Sequence, residues 1–123
     1  MKSDPLEYKP ILRKLLEKTR QRKVEWAQAY SGGFQCVLHG APETFYFTIS
    51  HGDRSGSRAD VLILRMSDQS DTTIFDVSTN DLPTSPEEEE VSQMIEEIYD
   101  LARRQALKIE LKLEQVSALL DQV

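Results

Sequence analysis

Residues 34–78, FQCVLHGAPETFYFTISHGDRSGSRADVLILRMSDQSDTTIFDVS, decide the fold. Phe34 to His39 alternates Phe34, Cys36 and Leu38 against Gln35, Val37 and His39. After the Gly40-Ala41-Pro42 turn, Thr44 to Ser50 alternates Phe45, Phe47 and Ile49 against Tyr46, Thr48 and Ser50. A period of two sends successive side chains to opposite faces, so the two runs read as half-buried strands of one hairpin. The polar stretch from His51 to Asp60 leads into Val61 to Met66, and Ser67 to Asp71 turns the chain into Thr72 to Ser78, a second hairpin. Connections this short suit an antiparallel meander of four strands, because a parallel sheet needs a helical crossover between neighbours. One face then collects Phe34, Cys36, Leu38, Phe45, Phe47, Ile49, Leu62, Leu64, Met66, Phe75 and Val77 as the predicted core. The other face is half apolar, with Val37, Tyr46, Val61, Ile63 and Ile74, and is either covered by the N-terminal helix or used as a contact surface.

Helices flank this sheet in sequence. Two starts share one signature, a capping residue, proline at the first helical position and glutamate at the third: Asp4-Pro5-Leu6-Glu7 and Ser85-Pro86-Glu87-Glu88. The first predicts a helix over 5–23, with its main body from about Pro10, since that proline disfavours helical geometry at Lys9. Ile11, Leu12, Leu15, Leu16 and Thr19 form its packed face, opposite Arg13, Lys14, Glu17 and Lys18. Val24, Trp26 and Tyr30 then lead into the Ser31-Gly32-Gly33 turn, with Trp26 a core plug.

The second start predicts one long helix over 86–123. Its first half carries a broad stripe, Val91, Met94, Ile95, Ile98, Leu101 and Ala102, suited to packing on the sheet. After that the stripe narrows to Ala106, Ile109, Leu113, Val116, Leu120 and Val123, spaced alternately by three and four, which is a coiled-coil seam widened by Leu107, Leu111 and Leu119. Such a helix runs about 55 Å, against a radius of gyration of about 14 Å for a domain of this size. The domain is too small to cover it. Ala106, Ile109, Leu113, Val116 and Leu120 are therefore the predicted interface with a second copy of the chain or another protein.

Composition sets the remaining limits. A chain of 123 residues, 39% hydrophobic and 29% charged, suits one α+β domain: N-terminal helix, antiparallel meander, long C-terminal helix. No apolar run approaches the roughly 18 residues of a spanning helix, and the first residues lack the apolar stretch of a secretory signal, so a soluble, cytoplasmic protein is expected. A lone cysteine, Cys36, excludes an internal disulfide and fits a reducing compartment. The net charge of −6 hides an asymmetry: Lys9 to Lys23 holds seven basic residues against Glu17 alone. Part of this surplus can be matched by the Glu87 to Glu90 run. Lys14, Lys18 and Arg22 recur every four residues, where like charges repel, and so mark a surface for an acidic partner or, as the alternative, a nucleic-acid backbone.

Chemistry is sparse by comparison. His39 and His51, with Cys36, Asp53 and Asp60 as conceivable neighbours, do not make a ligand set, because Cys36 and His39 differ in strand parity and point to opposite faces. A Cys36–His39 nucleophilic pair meets the same objection. Gly52 to Arg58 has the composition of a phosphate-binding loop but leads into a strand, where phosphate loops open a helix. No catalytic, cofactor or metal-binding residue is therefore assigned. The run Leu15-Leu16-Glu17-Lys18-Thr19 with Trp26 after it, and Leu101-Ala102-Arg103-Arg104-Gln105-Ala106 in the last helix, resembles a group of small bacterial proteins with no assigned activity. That resemblance implies a bacterial or phage source and an order of helix, meander and helix, and it brings no functional residue.

Overall fold

Five strands, one more than expected, form the sheet in the computed structural model, which describes residues 6–29, 32–40, 42–52, 61–79 and 85–123. The expected Asp4-Pro5 cap, Tyr30, Ser31, Ala41, most of the Gly52 to Arg58 loop with Asp53 and Asp60, and the linker 80–84 lie outside these residues. Helix α1 spans Lys9–Arg20. The strands are β1 Trp26–Gln28, β2 Phe34–Leu38, β3 Phe45–His51, β4 Leu62–Asp68 and β5 Thr73–Ser78, and two helices follow, α2 Pro86–Ala106 and α3 Ile109–Asp121. The chain is an α+β protein in which each strand pairs antiparallel with the next.

The additional strand is β1, whose three residues pair as Trp26↔Cys36, Ala27↔Gln35 and Gln28↔Phe34. Gly32-Gly33 is therefore the turn of a further hairpin. Both glycines have positive φ, and a Cβ at Gly33 would collide with the Ile49 carbonyl oxygen, so only glycine fits there. At the other end of the meander, the Asp68 carboxylate accepts from the backbone N–H groups of Ser70 and Thr72, both at 2.9 Å, and Asp71 takes the left-handed conformation that aspartate tolerates.

Alternation decides burial. Phe34, Cys36, Phe47, Ile49, Leu62, Leu64, Phe75 and Val77 are buried in one core with Leu12, Leu15 and Leu16 of α1 and Val91, Met94, Ile95, Ile98 and Ala102 of α2. Both helices thus lie on the same face, and α1 does not cover the other one. Three residues expected in the core have the right parity but incomplete cover: Met66 and Phe45 are half-buried and Leu38 is exposed. Leu38 and Phe45 face each other at the end of the β2–β3 ladder, away from the Phe34 end, where Phe34 meets Tyr99 of α2 at 5.6 Å between ring centroids.

Helix α1 is shorter than the expected 5–23. Pro10 sits in its first turn, Tyr8 at the N-cap makes no side-chain cap, and residues 6–8 form a turn ahead of the helix. At its other end Arg22 adopts φ 57°, while Arg22 N–H donates to the Thr19 carbonyl and Lys23 N–H to that of Lys18, a Schellman closure built without glycine. Ile11, expected on the packed face, is 41% exposed. The face actually buried is the narrower set Leu12, Leu15, Leu16 and Thr19.

The start of α2 is as read. Ser85 Oγ accepts from Glu88 N–H at 3.1 Å, with Pro86 at the first position. Its continuation is not, because the single helix over 86–123 is two helices. Leu107 closes α2, and Lys108 takes φ 54°, ψ 47° before α3 begins. Left-handed geometry costs a lysine about 1–2 kcal/mol. Several contacts oppose that cost: Leu107 packs against the core, Arg104 pairs with Glu110 of α3 at 3.4 Å, and Leu111 comes beside the end of α1.

Charge orders the helix layer. Lys9 and Arg13 both donate to Glu90 at 2.9 and 3.1 Å, and Arg20 makes a two-pronged pair with Glu97 at 2.6 and 2.7 Å. The order of partners shows α1 and α2 running side by side in the same direction. The hydrogen bond from Arg20, reinforced by its charge, holds the Glu97 carboxyl below the usual carboxylate range; Lys9 and then Arg13 do the same to Glu90. A lowered native pKa contributes stability that is complete above the unfolded carboxylate pKa and is lost as pH falls through the native one. The urea midpoint should therefore drop on acidification below about pH 4. Glu97→Gln should lessen that dependence, and high salt should shrink the difference because the pairs are exposed.

Beneath these pairs, Trp26 Nε1 donates to Thr19 Oγ1 at 3.1 Å, and Thr19 in turn donates to the Leu15 carbonyl at 2.7 Å. Both side chains are buried. Thr19→Val keeps the shape but strands the indole N–H, which should cost about 1–3 kcal/mol. In a double-mutant cycle measured by urea unfolding, adding Trp26→Phe should lose less than the sum of the two single changes.

Candidate interaction surfaces

An α-helix of apolar stripe normally buries that stripe, and α3 buries none of its residues. Leu113 is 59% exposed, Leu119 61% and Leu120 67%, with Leu111, Val116 and the terminal Val123 also exposed. Ile109 is half-buried at the joint, and Ala106 lies in α2, partly buried against the core. Of the five residues read as an interface, then, three stand free on α3 and two belong to the join with the domain. Successive helical residues are about 100° apart, so Leu111 projects from the side of α3 opposite the Leu113, Val116 and Leu120 seam. Glu110 and Leu111 line a recess of about 320 Å³ with Thr19, Arg20 and Arg22. Leu111 thus lies on the side of α3 toward the end of α1, and the seam is turned away from it.

Helix α1 presents two basic rows. Lys9, Arg13 and Arg20 face α2 and are matched by its glutamates. Lys14 and Lys18, with Arg22 just beyond the helix, lie on the other flank around exposed Ile11, and they form no ion pair among the described residues. The sequence spacing separates them from their paired neighbours because four-residue steps keep to one side of a helix while Arg13 and Arg20 fall on another.

The uncovered sheet face is less coherent. Val37 is 37% and Ile74 46% exposed, at the two ends of a row that Tyr46 and Ser67 cross, and the next row, Gln35, Thr48, Arg65 and Asp76, is polar across four strands. Along β1 a shallow groove of about 790 Å³ is lined by Val24, Trp26, Gln35, Val37 and His39 among others, with Lys23 and Glu25 also at its edge.

His39 follows β2 and is exposed, and His51 ends β3 with its ring edge-on to Tyr99 at 4.8 Å. Among the described residues no three of His, Cys, Asp and Glu come together as metal ligands. Cys36 is buried, and its burial pushes the thiol up to about 12 despite an opposing backbone hydrogen bond at Phe47. A thiol held that high contributes no thiolate near neutrality. At about pH 8 iodoacetamide should leave the folded protein unmodified and label Cys36 at a rate set by unfolding, which mass spectrometry in increasing urea would measure.

No helix among the described residues is long and apolar enough to cross a membrane. No protein-family model matches the chain, and comparison with curated proteins and with solved structures gave no match.

Proposed function

We propose that this chain is a non-enzymatic protein–protein interaction module of the bacterial cytoplasm that self-associates, as a dimer, through α3. The observation that carries this reading is the outward seam of a helix with no buried residue. A lone helix of 13 residues is marginal in water, because nucleation is costly and few hydrogen bonds offset it. Covering its leucines is worth roughly 1.5–3 kcal/mol per side chain, enough for a few from each copy to hold two chains together. A second copy supplies an apolar stripe of matching length. It also brings no like-charge conflict, since the positions beside the seam, Glu110, Lys112, Ser117 and Leu119, set no two equal charges opposite each other in either helix orientation.

A second reading, nucleic-acid binding through Lys14, Lys18 and Arg22, draws support from the lack of ion pairs to these residues among the described residues. The net charge of −6 opposes it. Sub-micromolar binding to DNA or RNA at about 150 mM salt, abolished by Lys14→Glu with Lys18→Glu, would establish it.

Light scattering at micromolar concentration should give twice the 14.1 kDa chain mass. Leu113→Asp should return the protein to monomer while its urea midpoint at low protein concentration stays put, since Leu113 contributes nothing to the core of the single chain. A wild-type monomer under these conditions would overturn the reading.

A further inference from the structure

We infer that the free basic row of α1 is the second half of the self-association surface: Lys14 and Lys18 of one copy receive Glu114 and Asp121 of α3 from the other. This rests on the self-association reading and adds a partner for each charged row. Glu110, Glu114 and Asp121 lie on one side of α3, at offsets of four and eleven residues from the first. Glu110 is satisfied within the chain by Arg104, whereas Glu114 and Asp121 form no ion pair among the described residues.

The two rows cannot meet within one chain as it stands. The first turn of α3 sits at the Arg20 and Arg22 end of α1, and neither Lys14 nor Lys18 pairs with α3. Their lengths match, with 12 residues in α1 and 13 in α3. The basic flank is also suited to the edge of a seam, because exposed Ile11 lies one turn before Lys14 on the same flank and lysine stems cover apolar surface while their charges stay in water. The mutual repulsion of Lys14 and Lys18 is relieved by the same contact. A two-fold relation makes the exchange reciprocal, each copy giving an acidic row and receiving one.

Sedimentation equilibrium on the full chain tests this through complementary reversals. Lys14→Glu with Lys18→Glu should weaken self-association about tenfold or more, and Glu114→Lys with Asp121→Lys should do the same. All four positions are exposed, so circular dichroism should report an unchanged fold. Mixed one to one, the two variants should recover wild-type affinity as a heterodimer, because both of its contacts again join opposite charges. Reversals that leave the affinity untouched overturn this inference and leave the seam as the whole interface. A wild-type monomer overturns both readings. Loss of DNA or RNA binding in the lysine variant, with dimerisation unchanged, overturns the inference and assigns the row to nucleic acid.

Discussion

Trp26 joins the sheet to both helices of the layer packed on it. Its backbone pairs β1 to Cys36 in β2, its backbone N–H donates to Gln105 Oε1 of α2 at 3.3 Å, and its indole reaches Thr19 of α1. Gln105 stands three residues before Lys108, so the contact that fixes the sheet edge also fixes the place from which α3 departs. A short edge strand would be weak on its own. Here a large buried residue whose backbone and indole N–H groups are both satisfied anchors it, which lets three residues suffice where a typical strand uses five or six.

The helix layer follows from that anchor and from charge. With α1 and α2 drawn together by Arg20 and Glu97 at one end and by Lys9, Arg13 and Glu90 at the other, both apolar faces turn toward the same side of the sheet. One side of the sheet is consequently left to solvent, an arrangement that antiparallel sheets tolerate. Exposed pairs contribute little to stability one by one. Their effect lies in direction, since they favour the pairing in which α1 and α2 run alike.

Much of this was legible in the residues. The period-two runs from Phe34 to Val77 identify the inward face, since parity is a local property, and the Ser85 cap marks a helix start by its own chemistry. What depends on distant contacts was not legible. Strand β1 is too short for a period to emerge from Trp26-Ala27-Gln28; its signal was the Gly32-Gly33 pair, which read as a simple turn in place of a hairpin. Leu38 has inward parity but lies where the helix layer gives out. The break at Lys108 has no local marker, because Ala106, Leu107, Lys108 and Ile109 all accept helix, and contacts made by Leu107, Arg104 and Leu111 impose it. For the interface, the surplus of apolar residues on the last helix was plain, whereas the partial burial of Ala106 and Ile109 depended on where the helix bends. The free basic row was visible as a spacing, but that its neighbours Arg13 and Arg20 would be neutralised required knowing that α1 lies beside α2.

Lys108 gives the molecule an unusual kind of adjustability. One residue in the left-handed conformation sets the bearing of α3, and no residue of α3 is buried in the domain. A substitution there that changes the preference between left-handed and helical geometry would re-aim the whole arm while leaving the core untouched. The bearing of a binding arm is in this way set at a single codon, and what a change there costs or gains falls on the joint held by Arg104, Leu107 and Leu111 and not on the buried core.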